Sequence, residues 1–514
     1  MKGEKDVKKH MNRWTSLFLA LVLCLGVVFA GSVNQARADE LPADISRHEV
    51  ITMYLIGDPP PEVNEVYGKV NEILNEKLNA ELNVKWISWG DAGTKYSLLF
   101  SGGEDFDMIF TASGWGYLES TISMGGFLEM DEEFVKKYAP DIWASIPSIG
   151  WKQATFNDAI CVIPANYVDV TPDCLAIRGD WMKELGYEDI TNWDELISFY
   201  RDVAKSGRYA AQDGNLYWTW FQQMGYAPLD GSPNGNTLML YNSNDPSDTE
   251  IKYVLDWDAF RDFCVEMKEL CAAGAWPTDF LNSGAERMDG ILNGRCAVMV
   301  WNSGSCQMYG DQANSVHPEW DFNVYNVMPG VKFNATKYTN NAMGINYASK
   351  HPERTLMVLN EIQSNPEIQD LIALGLEGVH WEKVGDNQYK KIGDGYAANN
   401  YWGLRNRNMM RTEYNENPTP AQQKVEALNA QFQANVKTEP HPLDGFHFDN
   451  TNVSVQFAAV EAAAGTYFNS LLGGLVDDVD QALAEYKNVL EAAGIRDVIE
   501  EMNRQAAEYM NSSN

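Results

Sequence analysis

The sequence has few of the patterns that announce catalysis. It contains no GxSxG elbow, no HExxH pair, no GxxxxGK[ST] loop and no GxGxxG followed by an acidic residue. Each of these holds a nucleophile, a metal or a phosphate in one fixed geometry, and without them the chain is read as a non-enzyme. Basic residues are also scarce: 39 Lys and Arg stand against 72 Asp and Glu, for a net charge of −33. Phosphate binding requires a concentrated cationic surface, so no nucleic acid partner is expected. There are only seven cysteines and seven histidines. No two cysteines have CxxC spacing, so neither a metal site nor any other cofactor is expected. Cys264 and Cys271, if helical, lie about 10 Å apart along the axis, too far to bridge. Cys161, Cys174, Cys264, Cys271, Cys296 and Cys306 are expected as buried free thiols. Long apolar runs are missing too: beyond the amino terminus none approaches the roughly 20 residues of a membrane span.

The amino terminus itself is distinctive. Lys2, Lys5, Lys8, Lys9 and Arg13 precede an apolar stretch from Leu17 to Ala30, and Ala36-Arg37-Ala38 follow before Asp39. Basic, apolar and small-residue regions in that order form a secretory signal, so residues 1–38 are expected to be removed and the mature chain to lie outside the cytoplasm. Cys24 in Leu21-Val22-Leu23-Cys24 offers the alternative of a lipid anchor, although Leu23 stands where a small residue is needed.

Further along, strand-like and helix-like segments alternate. Val50–Ile56 reads as a strand, broken by Gly57-Asp58-Pro59-Pro60-Pro61. Val63, Val66, Val70, Ile73, Leu74 and Leu78 then mark one helix face. Leu82–Ile87 and Phe106–Phe110 read as further strands, with a helix around Lys95–Phe100 between them. Strands separated by helices imply βαβ units and a largely parallel sheet. Cys174–Arg178 and Cys296–Val300 repeat the strand pattern, and the helices 193–204 and 257–273 lie between them. Leu216–Trp220 alternates like a strand, and the chain from Asp477 onward is helical, expected to brace the rest.

Several segments resemble, in order, the extracellular solute-binding proteins of ABC importers that include the maltodextrin binders. The resemblance rests on Phe106-Asp107-Met108-Ile109-Phe110, Gly126-Phe127-Leu128-Glu129-Met130-Asp131, and Ile160–Pro164 with Cys174–Trp181. Leu185-Gly186 with Thr191–Leu196, Asn293–Met299, and Met343–Asn346 with Ser349–Glu353 continue it. Cys296 is one departure from the pattern. Gly445–Asp449 and Ala493–Ile495 resemble the subfamily with an added carboxy-terminal region. The resemblance implies an α/β, two-lobed periplasmic-binding-protein-like fold with hinged lobes plus a C-terminal helical region. It further implies a signal peptide over 1–38, a first lobe over 39–165, a second over 166–325, a return to the first over 326–400, and a region over 401–514 completing both. The implied function is capture of a small solute, foremost an oligosaccharide, in the cleft and its delivery to ABC transporter permease subunits by a monomeric, extracytoplasmic protein. A secreted carbohydrate hydrolase, a peptide-binding protein and a sensor's binding protein remain as alternatives. A hydrolase needs two carboxylates at a set separation, and the sequence indicates no such pair.

Sugars present flat apolar faces ringed by hydroxyls, so aromatic platforms with planar polar neighbours are the expected ligands' partners. Of 16 tryptophans, Trp89 closes the second strand and Trp115 follows the third. Trp301, with Asn302, follows Cys296–Val300; the resemblance places Trp115 and Trp301 in loops carrying sugar-stacking aromatics. Trp218 and Trp220 share one face if Leu216–Trp220 is a strand. Trp402 and Arg405 lie in an Asn-rich loop, Asp58 follows the first strand, and Tyr167 follows Pro164. Asn242, Asn244, Asp248 and Glu250 could offer oxygens to calcium, but the glycine turn of such a loop is missing, and they are read as a solvated loop.

Overall fold

The computed structural model describes residues 42–396, 401–439 and 441–512. The secretory leader, Cys24, the cleavage position after Ala38 and Asn399 of the Asn-rich loop lie outside them. The chain divides into two compact units. One comprises the chain up to Thr111, Ser120–Tyr167 and Asn341–Tyr414; the other comprises Ala112–Glu119, Val168–Asn340 and Asn415–Asn514. The return to the first unit thus begins at 341 and runs past 400, and the carboxy-terminal region from Asn415 onward belongs to the second unit.

The first unit is built on a five-stranded sheet in the order Ala80–Ile87, Glu49–Ile56, Met108–Thr111, Ala342–Ile345, Ile163–Pro164. The first three strands are parallel, and Ala342–Ile345 runs antiparallel to its neighbours. Ile51, Met53 and Leu55 are wholly buried. The helix Val63–Leu78 lays Val66, Val70, Leu74 and Leu78 inward at a spacing of four, while Val63 and Ile73 flank that stripe half-buried. It ends at Asn79, whose left-handed backbone (φ 46°) returns the chain to the next strand.

The second unit carries a four-stranded sheet in the order Phe322–Tyr325, Asp173–Arg178, Cys296–Asn302, Tyr209–Ala211. Its main core is unusually aromatic, joining Tyr217, Phe221, Phe260 and Phe263 to Phe468 and Tyr486 of the last helices. Ser454–Leu472, Val479–Ala492 and Ile495–Ser512 complete this unit's core. Each aromatic buried there contributes about 1.5–3 kcal/mol. The strand expected over Leu216–Trp220 is a helix, Tyr217–Gln223. Tyr217, Trp220 and Phe221 stand at i, i+3 and i+4, so helical geometry buries all three on one side, and the apparent alternation of two tryptophans was part of a single turn.

Candidate functional site

In the first unit the carboxyl ends of the parallel strands open onto an aromatic shelf, the location where α/β sheets bind ligands. The first two strands stay paired to their ends: the Gly57 N–H donates to the Ile87 carbonyl at 2.6 Å. Gly57 adopts φ 117°, which a side chain would resist. Asp58 emerges there in an exposed turn, and Trp89 opens the helix Trp89–Ser101 with 49% of its surface exposed. Trp402, in a short 3-10 turn, lies 5.9 Å from Trp89 and 5.7 Å from the buried ring of Phe110. Two tryptophans more than 300 residues apart in sequence thus form one surface.

A set of buried amides fixes that shelf. Gln363 Nε2 donates to the Gly403 carbonyl (2.9 Å), and Gln369 Nε2 donates to the carbonyls of Ile362 (2.8 Å) and Leu404 (2.7 Å). Asn406 Nδ2 donates to the Gln363 carbonyl (2.7 Å) and its Oδ1 accepts from Asn166 Nδ2 (3.0 Å). Gly403 is required because a Cβ there would stand 2.8 Å from the Ala342 carbonyl oxygen. The Arg405 guanidinium lies over two rings, 4.8 Å from the centre of Tyr401 and 5.2 Å from that of Tyr167, and Arg407 approaches Tyr167 at 4.8 Å. The structure therefore brings together Trp89 with Trp402 and Tyr167 with Arg405. Tyr401, Arg407 and the amide clamp were missed in the sequence, where only the asparagine richness of the segment hinted at them.

The second unit presents Trp115, 42% exposed, on a tight loop. Ala112 and Gly116 exchange backbone hydrogen bonds, and the Ser113 N–H donates to the Thr339 carbonyl (2.9 Å). The Gly114 N–H donates to both carboxyl oxygens of Glu119, at 3.2 and 3.3 Å. Beneath lies a charged cluster: Asp230 accepts from Lys337 Nζ (2.5 Å) and faces His447 Nδ1 (2.9 Å). Burial opposes ionisation of Asp230, but Lys337 and His447 outweigh it and hold the carboxyl well below its usual range. Burial, then the neighbouring Asp230 charge, pushes Glu119 up. Glu119, Asp230 and His447 place ligand-type atoms within 4.8 Å of one another, a spacing compatible with a metal. Lys337 already supplies the counter-charge that a cation would bring.

The remaining candidates in this unit have structural duties. Trp220 is 5% exposed, packed on Tyr217 and Phe263, which corrects its reading as a cleft residue: a fully packed indole has no face for a ligand. Trp218 is half-buried against Phe221. Trp301 lies within the strand Cys296–Asn302, not in a loop beyond it, stacked on Tyr309 (6.2 Å) with the Arg287 guanidinium 5.0 Å from its ring. Asn302 caps the helix Ser303–Val316, its Oδ1 accepting from the Ser305 N–H (2.9 Å), so its oxygen is engaged within the chain. Asn244 donates to the carbonyls of Gly225 (3.1 Å) and Lys332 (3.0 Å), and Asn242 bonds Asp248 (3.3 Å), so this loop ties itself together. A concavity beside it, lined by Phe221, Tyr226, Asn244, Phe333 and Asn334, contains none of the expected ligand-binding residues. The six cysteines are free and buried, and burial pushes the thiols of Cys264, Cys296 and Cys306 up to about 12, which suppresses nucleophilic chemistry.

Comparison with known proteins agrees with this architecture. A carbohydrate ABC transporter substrate-binding protein of Streptococcus pneumoniae serotype 4 (strain ATCC BAA-334 / TIGR4) is 25% identical over 504 residues, covering 96% of this chain and 97% of the relative. The crystal structure of the N-glycan transport solute binding protein NgtS from Streptococcus pneumoniae superposes with a TM-score of 0.70 at 21% identity, covering 91% of this chain and all of that one. Its complex with Man5GlcNAc gives a TM-score of 0.68 at 21% identity, covering 91% and 99%. Residues 442–511 match a domain family of unknown function. Because residues 61–366, more than half of its length, match the family described as bacterial extracellular solute-binding protein, the chain belongs to that family.

Proposed function

We propose that this chain is an exported, non-enzymatic binding protein that captures an oligosaccharide and delivers it to the permease subunits of an ABC transporter. The observation that carries the reading is the pairing of half-exposed Trp89 with Trp402 at the strand ends of the first unit. Apolar ring faces of a sugar stack on such indoles, and the amide clamp keeps the surface preorganised, which lowers the entropy lost on binding. Asp58, Tyr167 and Arg405 are the polar groups proposed to orient the sugar's hydroxyls, and Trp115 is proposed as a further platform. The naming of the pneumococcal relative as a carbohydrate transporter component and the Man5GlcNAc complex of NgtS support the choice of ligand class. No helix among the described residues is long and apolar enough to cross a membrane. Export rests on the leader over residues 1–38, with Cys24 lipidation as the alternative, which the mass of the mature amino terminus decides.

The test is a thermal-shift screen of the mature protein against neutral and acidic oligosaccharides and short peptides, followed by calorimetry on the hits. A ligand that binds only the folded state stabilises it, by about 2.7 kcal/mol at a hundredfold excess over Kd, and so raises the melting point. Saturable glycan binding without new products is expected, and Trp89→Ala and Trp402→Ala should each weaken it about tenfold. Release of shorter sugars would turn the reading toward a hydrolase, and shifts with peptides alone would remove the carbohydrate assignment.

A further inference from the structure

Most arginines of this acidic chain sit against a carboxylate. Arg208 meets Glu184, Arg261 meets Asp480, Arg411 meets Asp370 and Arg496 meets Asp256. Arg287, Arg295 and Arg354 lack an ion pair but donate to carbonyl or amide oxygens; among the described residues Arg405 has neither an ion pair nor an acceptor for its buried Nε, and aromatic faces are its neighbours. Its guanidinium is positioned by the faces of Tyr401 and Tyr167, and its backbone by the clamp that grips Leu404 and Asn406. Trp402 of the shelf is three residues away on the same clamped segment.

A guanidinium is always charged and offers its N–H donors as a planar fork that matches a carboxylate with two parallel bonds. Ring faces on its flanks restrain the plane of that fork and strip water from it, so the unmatched donor carries a desolvation penalty that a bound acceptor relieves. In a chain of net charge −33, carboxylates of its own were abundant, yet among the described residues none is set against this cation. Resting on the carbohydrate reading above, we propose that Arg405 forms an anion subsite beside the tryptophan shelf, and that the captured glycan carries a carboxylate-bearing sugar, such as a uronic acid, seated there.

The experiment is calorimetry on the mature protein with matched sugars: trigalacturonic acid against galactotriose, and trimannuronic acid against mannotriose. An acidic member should bind at least about tenfold more tightly than its neutral counterpart, with the preference shrinking as salt rises. Arg405→Gln should erase that preference, so that the acidic and neutral members of a pair bind within about twofold of each other, and Arg405→Lys should retain part of it because charge remains and the fork is lost. Melting of each ligand-free variant checks that the fold survives; should Arg405→Gln melt early, the Arg405→Lys comparison and the salt dependence of the unaltered protein decide. Equal or tighter binding of the neutral sugars, or a preference that persists in Arg405→Gln, overturns the inference while the oligosaccharide reading stands. Failure of every sugar in both classes would overturn both.

Discussion

The two units anchor their surface tryptophans by opposite means. In the first, the segment bearing Trp402 is held by neutral amides, Asn166, Gln363, Gln369 and Asn406, each bonded to backbone or to another amide. In the second, the Trp115 loop is tied to Glu119, which sits against a charged cluster of Asp230, Lys337 and His447. Amides do not titrate, so the first anchor is indifferent to pH. The Asp230 carboxylate, withdrawn from water and set against Lys337, gains from that attraction only while it keeps its charge. The contrast assigns pH sensitivity at these surfaces to the carboxylates of the second unit.

The sharpest way to break that comparison is Asp230→Ala. It strands the Lys337 ammonium in a half-buried site and should destabilise the protein by about 3–5 kcal/mol in urea unfolding. A cost below about 1 kcal/mol would mean that the cluster is effectively solvated. Next comes Asn406→Ala, which leaves several amide and carbonyl partners unpaired and should cost about 2–3 kcal/mol. That loss should be the same at pH 5 and pH 8, and a pH-dependent loss would contradict the neutral-anchor account.

Glu119→Gln sharpens the contrast further with a smaller effect. The folded protein holds the Glu119 carboxyl above its ordinary 4.5, so its ionised form is a liability that exists above the folded pKa and disappears below 4.5. The variant should therefore be more stable than the parent at neutral pH, with the difference closing as the solution is acidified past 4.5. Asp230 behaves in reverse: its carboxyl is held below 3.8, so its stabilisation is present above that value and is lost only as pH falls through the depressed folded pKa. Smallest of all, Trp115→Ala should change ligand-free stability by no more than about 0.5 kcal/mol, because the indole is 42% exposed. A loss comparable to that of a core tryptophan would mean that Trp115 serves packing.

Much of the fold could be read along the chain because its signals are local. The strand at 49–56 and the helix over Val63–Leu78 follow from the period of their apolar residues, which a short window displays. The misreading of Leu216–Trp220 shows the limit of that method: over five residues, Trp218 and Trp220 fit alternation and a helical turn equally well. Only the neighbours Phe260, Phe263 and Phe468 select the helix, by receiving its i, i+3, i+4 face. Trp301 stacks on Tyr309 and Asn302 caps the helix that starts at Ser303, contacts that a strand pattern over Cys296–Val300 does not display. The amide clamp was invisible because its parts lie far apart, as Asn166 and Asn406 do across 240 residues, and amides have no periodic signature.

Sequence alone determined the kind of molecule: βαβ units for a parallel sheet, a strong excess of acidic over basic residues, and many tryptophans. Those properties depend on composition and short-range order, which the chain carries whether folded or not. Only the tertiary structure decided which tryptophans are available to a ligand. Trp89 and Trp402 became one shelf, Trp220 became core, and Arg405 was set between tyrosine faces with no carboxylate against it among the described residues. Each of those outcomes is fixed by contacts between distant segments, and close packing leaves a side chain exposed or enclosed according to partners that its own neighbourhood in sequence does not name.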